Sequence, residues 1–172
     1  MTGPSFYHEE QRISQWWVWV IVLVVAGLSW WALVQQVVLG RPWGDDPAPD
    51  WGVWLYWVLV GLAVPTLLWW SRLILDVTGQ EVSIRYRPFT RRSIPLTEIE
   101  DVSVRTYSPV KEYGGWGIKG WSRRNVVYNA RGNRGVQLIL RDDRKVMLGS
   151  QRPEELAAAI RSQLVIYTSA ER

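Results

Sequence analysis

Hydrophobic positions divide this chain into two unlike parts. Residues 13–40 and 51–71 are apolar runs containing no Asp, Glu, Lys, Arg or His. A helix needs roughly 20 mostly apolar residues to cross the ~30 Å hydrocarbon core of a bilayer, so each run predicts a transmembrane helix, with residues 41–50 as the loop between them. From Leu73 onward the pattern changes to period two. Val82, Ile84 and Tyr86 alternate with Ser83, Arg85 and Arg87; Val102 and Val104 alternate with Asp101, Ser103 and Arg105; Val136, Leu138 and Leu140 follow the same rule. Such alternation predicts strands with one buried and one wet face. Residues 126–128 and 146–148 are shorter strand candidates, with turns expected at Gly79, across 130–135, and at Asp142 and Asp143. Near Pro153 the period becomes helical. Proline suits a first helical position, Glu154 and Glu155 favour the positive end of the helix dipole, and Leu156, Ile160 and Leu164 form one stripe.

The expected fold class is an α+β membrane protein. Residues 1–12 read as a polar N-terminal tail, residues 13–71 as a transmembrane hairpin, and residues 72–172 as a small antiparallel β domain with a C-terminal helix from about residue 153. About a hundred residues suffice for one core. A secretory signal peptide would have a much shorter apolar segment, of about 7 to 15 residues, than residues 13–40 provide.

Charge orients the hairpin, because Lys and Arg are enriched in loops retained in the cytoplasm. The loop carries Arg41 against Asp45, Asp46 and Asp50, whereas Arg72, Arg85, Arg87, Arg91 and Arg92 follow the second span. Both termini are therefore expected in the cytoplasm, with the hairpin in the cell membrane. The tail, with Arg12 beside Glu9 and Glu10, adds little to that expectation. Tryptophan is concentrated here too, since 11 of 13 precede Arg72. Trp16, Trp17, Trp19, Trp51, Trp69 and Trp70 are the expected membrane-interface anchors, because an indole can rest in hydrocarbon while its N–H reaches the headgroups. Ala26, Gly27, Ser29, Ala32, Gly61 and Ala63 are small enough for close helix approach, and Pro65 is a candidate kink.

Candidate chemistry is sparse. With no cysteine there is no disulfide, thiolate metal site or thiol nucleophile, and His8, the single histidine, reads as a solvated tail residue. No catalytic, cofactor-binding or metal-binding residue is assigned, and no small-molecule substrate is identified. Glu98, Glu100, Asp101, Asp142 and Asp143 fall on alternating strands or turns without a nucleophile or metal partner. Gly115, Gly117 and Gly120 satisfy the spacing of a dinucleotide-binding glycine motif, but no helical stripe follows, so a glycine-rich strand or hairpin is expected instead.

The order of phrases resembles a family of bacterial membrane proteins in which a two-helix hairpin precedes a pleckstrin-homology-like domain. The phrases are Ile94-Pro95-Leu96-Thr97-Glu98-Ile99-Glu100-Asp101-Val102, Gly114-Gly115-Trp116-Gly117-Ile118, Gly132-Asn133-Arg134-Gly135-Val136 and Gln151-Arg152-Pro153-Glu154-Glu155-Leu156. The resemblance implies a strongly bent antiparallel β domain closed by one helix, set at a membrane. It brings no catalytic residue, and the family's biochemical role is uncharacterised.

The remaining signal is charge asymmetry. Residues 72–172 hold 18 Lys and Arg against 11 Asp and Glu, and residues 1–71 hold 2 against 5, which together recover the net charge of +4. Two groups are candidate contacts for anionic ligands or lipids: Arg85, Arg87, Arg91 and Arg92 on the first hairpin, and Lys119, Arg123, Arg124, Arg131 and Arg134 around the glycine-rich region. Each cation near an anionic leaflet contributes on the order of 1 kcal/mol. The same residues equally describe ordinary solvated strand faces. The leading expectation is a non-enzymatic, membrane-anchored scaffold whose domain binds a protein partner or itself; the alternative is a sensor or adaptor reading anionic headgroups. Nucleic acid ranks below both, because the leaflet meets the same charges first.

Overall fold

The computed structural model describes residues 5–42, 46–122 and 124–170. It divides into a helical unit, residues 13–70, and a β unit that combines residues up to Arg12 with those from Ser71 onward.

The helical unit consists of α1 (Trp16–Val38) and α2 (Asp50–Trp70), both long and apolar enough to cross a membrane. Asp50 places a carboxylate in the first turn of α2, where the helix dipole favours it. The last turns of α1, Val34–Val38, and the middle of α2, Trp57–Ala63, widen to i→i+5 hydrogen bonding. The widened segment of α2 ends just before Pro65, whose ring cannot be accommodated by a regular i−4 carbonyl. The helices approach closely at Gly61. A Cβ added there would lie 2.6 Å from Ser29 Oγ, and Ser29 and Ala26 are buried. Gly27, by contrast, faces outward. Trp57 stacks edge-to-face on both Trp30 (5.0 Å) and Trp54 (5.4 Å), so these indoles serve packing within the pair. At the loop end a cavity of about 360 Å³ is lined by Trp31, Gln36, Gly52, Val53 and Tyr56. The Gln36 amide is occupied there, donating to Ala48 O and Asp50 Oδ1.

Among the described residues the β unit contains nine strands in two sheets. The first sheet is β1 (Ser5–Arg12), β2 (Arg72–Thr78), β3 (Glu81–Arg87) and β4 (Thr90–Pro95), in that order and antiparallel throughout. The expected N-terminal tail is thus a strand. Its alternation is hidden because the inward residues, Tyr7, Glu9 and Gln11, are polar. His8 is likewise no free tail residue, since Nδ1 lies 2.5 Å from Asp76 Oδ1.

A single turn, Leu96–Glu98, leads to β5 (Ile99–Thr106). There follow α3 (Pro109–Tyr113), β6 (Gly117–Ser122), β7 (Asn125–Asn129), β8 (Arg134–Leu140), β9 (Lys145–Gly149) and α4 (Pro153–Ala170). The second sheet has the order β5-β8-β9-β7-β6. Here the expectation of a purely antiparallel domain fails, because β7 pairs parallel with β9. The β6–β7 hairpin arises between β5 and β8 in sequence, yet joins the sheet beyond β9.

Leu73, Leu75, Val82, Ile84 and Ile94 from the first sheet meet Val102, Val136, Leu138, Val146 and Leu148 from the second in one core. The stripe on α4 closes it with Leu156 and Ile160, fully buried, and Leu164, partly so. Fully burying each such side chain contributes roughly 1.5–3 kcal/mol. A second, smaller cluster of Tyr107, Tyr113, Val127 and Met147 forms on the other face of the second sheet, so one core was too few. Gly149 is required beside it: a Cβ there would meet Asn129 Cβ at 2.6 Å and Tyr107 Oη at 2.9 Å.

Candidate functional site

Register assembles a row of arginines that lie far apart in sequence. Arg12 on β1 is opposite Arg72 on β2, and Arg72 is opposite Arg87 on β3. Residues directly opposed in an antiparallel sheet share a face, with neighbouring strands about 4.8 Å apart. Three guanidinium-bearing positions therefore span about 10 Å of backbone at one end of the first sheet. In the next row on the same face, Arg85 is opposite Ile74 on one side and Arg91 on the other. Ile74 is nonetheless buried, consistent with arginine stems folding over it.

Counter-charges occupy some of these cations. Glu10 Oε1 accepts from Arg72 Nη1 at 3.0 Å and lies 3.6 Å from Arg12 Nε, which offsets the like-charge pairing of Arg12 and Arg72. Asp76 binds Arg85 Nη2 and His8 Nδ1, each at 2.5 Å. Burial works against its charge, but the hydrogen bonds from His8 and Arg85 outweigh that and hold its carboxyl below the usual aspartate range. Arg87 and Arg91 are exposed and make no ion pair among the described residues.

Of the first predicted group, then, Arg85, Arg87 and Arg91 share a face, and Arg85 is committed to Asp76. Arg92 does not join them. It is opposite Ile84 and so belongs to the inward face, at the outer edge of the sheet. The second predicted group is not one patch. Lys119 is exposed on β6, Arg124 is at the β6–β7 turn, and Arg131 and Arg134 are beyond the other end of β7. Strand rise alone separates those ends by about 15–20 Å. Arg134 is paired with Glu154, and Arg123 lies outside the described residues. Sequence reasoning missed Arg12 and Phe89. Phe89 forms the β3–β4 turn with Pro88, just past the arginine row, and is 58% exposed.

The glycine motif resolves into structure without a phosphate cradle. Gly115 follows α3, Gly117 opens β6, and a Cβ on Gly120 would lie 2.4 Å from Asn125 O across the hairpin. No group of three or more His, Asp or Glu placed to hold a metal exists among the described residues.

A different polar cluster holds β1 to the start of α4. Buried Glu9, 6% exposed, accepts from Tyr7 Oη (2.6 Å), Ser150 Oγ (2.6 Å) and the Gln151 amide (2.8 Å). Gln11 Nε2 donates to Gly149 O at 2.7 Å, and Arg152 lies over the Tyr7 ring. Burial, reinforced by the Glu9 hydrogen bond, pushes the Tyr7 hydroxyl up from its ordinary value, so it stays a donor. The three donors to Glu9 are neutral, and they make this cluster a clasp between β1 and the segment that leads into α4.

The interface tryptophans divide similarly. Trp16, Trp17, Trp51, Trp69 and Trp70 are exposed at helix ends. Trp19 is half-buried, donates to Ile13 O at 3.0 Å and packs edge-to-face on Trp69.

The chain belongs to a family of unknown function (DUF6141), which matches residues 2–167. That match takes in β1, both apolar helices, the two sheets and nearly all of α4. No curated protein matches the chain.

Proposed function

We propose that this DUF6141 protein is a non-enzymatic, membrane-anchored interaction module: α1 and α2 cross the cell membrane, both termini are cytoplasmic, and a pleckstrin-homology-like β domain binds a protein partner or a second copy. The observation that carries this reading is the place of the helices in the chain. They are inserted between two neighbouring strands, and only residues 13–15 separate β1 from α1 and residue 71 separates α2 from β2. A domain tethered at two adjacent points has little freedom to tumble, and such pre-ordering raises the effective concentration of whatever its fixed surface meets. A four-stranded sheet, a second sheet and a closing C-terminal helix support the pleckstrin-homology-like assignment. Arg12, Arg72 and Arg87 in one row, against a loop bearing Asp46 and Asp50, support the cytoplasmic orientation.

Light scattering of the full-length protein in mild detergent tests self-association, and photo-crosslinking in cells from exposed β-domain positions tests a partner. A defined multimer or one stoichiometric cross-linked protein is the expected result. A strict monomer that yields no cross-linked protein would overturn the module reading.

A second reading has its own support. Arg87 and Arg91 offer planar donor pairs suited to phosphate oxygens, and they belong to the sheet end that continues into both helices. On this reading the domain contacts anionic headgroups of the membrane that holds it.

A further inference from the structure

The β3–β4 turn goes further than the arginines alone, and it rests on the headgroup-contact reading. Phe89 is exposed at the tip, its amide held by Tyr86 O at 2.8 Å and its ring 6.2 Å from that of Tyr86. Arg87 and Arg91 flank it on the wet face, and neither has a counter-ion among the described residues.

Chain reach fixes where this tip can be. Arg12 precedes Trp16 by four residues and can be at most about 14 Å from the start of α1; Arg72 follows Trp70 by two and can be at most about 7 Å from the end of α2. Arg87 is one strand beyond Arg72, and Phe89 continues two residues past Arg87 in the direction in which β1 runs into α1. An aromatic ring between cations, at most roughly 20 Å from the end of α2 by chain reach, matches an anionic leaflet in both charge and apolarity. Phe6 provides the contrast. It is 52% exposed on the same sheet but at the opposite end of β1, about 20 Å away by strand rise, and no arginine is opposed to its neighbours Ser5 and Tyr7.

We infer that the Phe89 tip inserts into the cytoplasmic leaflet as a third membrane anchor, its ring below the phosphates and Arg87 and Arg91 paired with anionic headgroups.

The cysteine-free sequence allows a direct test. Full-length Phe89→Cys and Phe6→Cys variants, nitroxide-labelled, are placed in nanodiscs of phosphatidylcholine with or without phosphatidylglycerol, and accessibility to oxygen and to a water-soluble nickel chelate is read. A label on Ser93→Cys, with a gadolinium-headgroup lipid, reports whether the arginine face is at headgroup level at all. The expected result is an oxygen-to-nickel ratio at 89 several-fold above that at 6, larger with phosphatidylglycerol, and strong relaxation at 93. Equal, water-like ratios at 89 and 6 overturn the insertion; relaxation at 93 in that case leaves headgroup contact standing, and its absence removes both. Shielding of 89 from both reagents would mean burial against protein and would also overturn the proposal. Phe89→Ser with native arginines serves as a second variant, expected to abolish the lipid-dependent part of the relaxation at 93.

Discussion

Glu9 is an acidic residue placed where sequence patterning expects a hydrophobe. Its neighbours on the inward face of the first sheet are Leu75 and Ile84, and its carboxylate is satisfied by three neutral donors instead of a cation. Removing an acceptor from buried donors costs about 1–3 kcal/mol. Glu9→Ala is therefore expected to lower the unfolding free energy of the detergent-solubilised protein by that amount, and Glu9→Gln nearly as much, because one acceptor oxygen becomes a donor facing donors. Denaturant titration followed by circular dichroism checks this; wild-type stability in both variants would show that the clasp contributes nothing. Asp76 supplies a pH signature. A carboxyl whose folded pKa is depressed contributes stability that is complete above the unfolded value, about 3.9, and is lost as pH falls through the folded value. The wild type is expected to lose thermal stability below about pH 4 more steeply than Asp76→Asn, which should be less stable at neutral pH and converge with it in acid. Parallel pH profiles would show that the His8 and Arg85 bonds do not stabilise the fold.

Legibility differed sharply among the elements. Both apolar helices, the alternating strands β3, β5 and β8, and the stripe on α4 could be read because each buries one apolar face against a polar one. β1 could not, since Tyr7, Glu9 and Gln11 are buried through hydrogen bonds and its wet face alternates with them in polarity hardly at all. The parallel β7–β9 pair also escaped, because alternation says which face is buried and nothing about strand order. At the candidate site the same limit applied. Arg85 and Arg87 were legible as a shared face from local period, and Arg91 only as a member of a basic cluster together with Arg92, whereas the opposition of Arg12 to Arg72 exists only once β1 is paired. This predicts an outcome at the level of elements. A protein of residues 72–172 alone lacks β1 and leaves Leu73, Leu75 and Val77 on an open edge, so it is expected to unfold without cooperativity or to aggregate. Replacing residues 13–71 with Asn-Gly, a two-residue turn that suits the Arg12–Arg72 register, is expected to give a soluble domain with one cooperative transition. Equal behaviour of the two would show β1 to be dispensable.

The whole molecule combines two helices apolar enough to cross a membrane with a β unit that carries most of the charge. Its apolar helices need no counter-charge, while the net surplus of cations is carried by the β unit, where Glu10 and Asp76 pair with part of the first sheet's arginines and Arg87 and Arg91 make no ion pair among the described residues. Because β1 emerges from the ribosome long before β2, its neighbour in the sheet, synthesis must hold a strand in waiting until the intervening helices have been made. Bringing the two strands together carries a loop-closure cost, and on the proposed topology integration of the helical pair would meet that cost by returning the chain to its starting side. On that topology the sheet checks the count of crossings. If α1 and α2 cross the membrane as proposed, it can close only when the chain has traversed the bilayer an even number of times, and a nascent chain stalled after one passage would leave β1 apart from β2 and an edge unfinished.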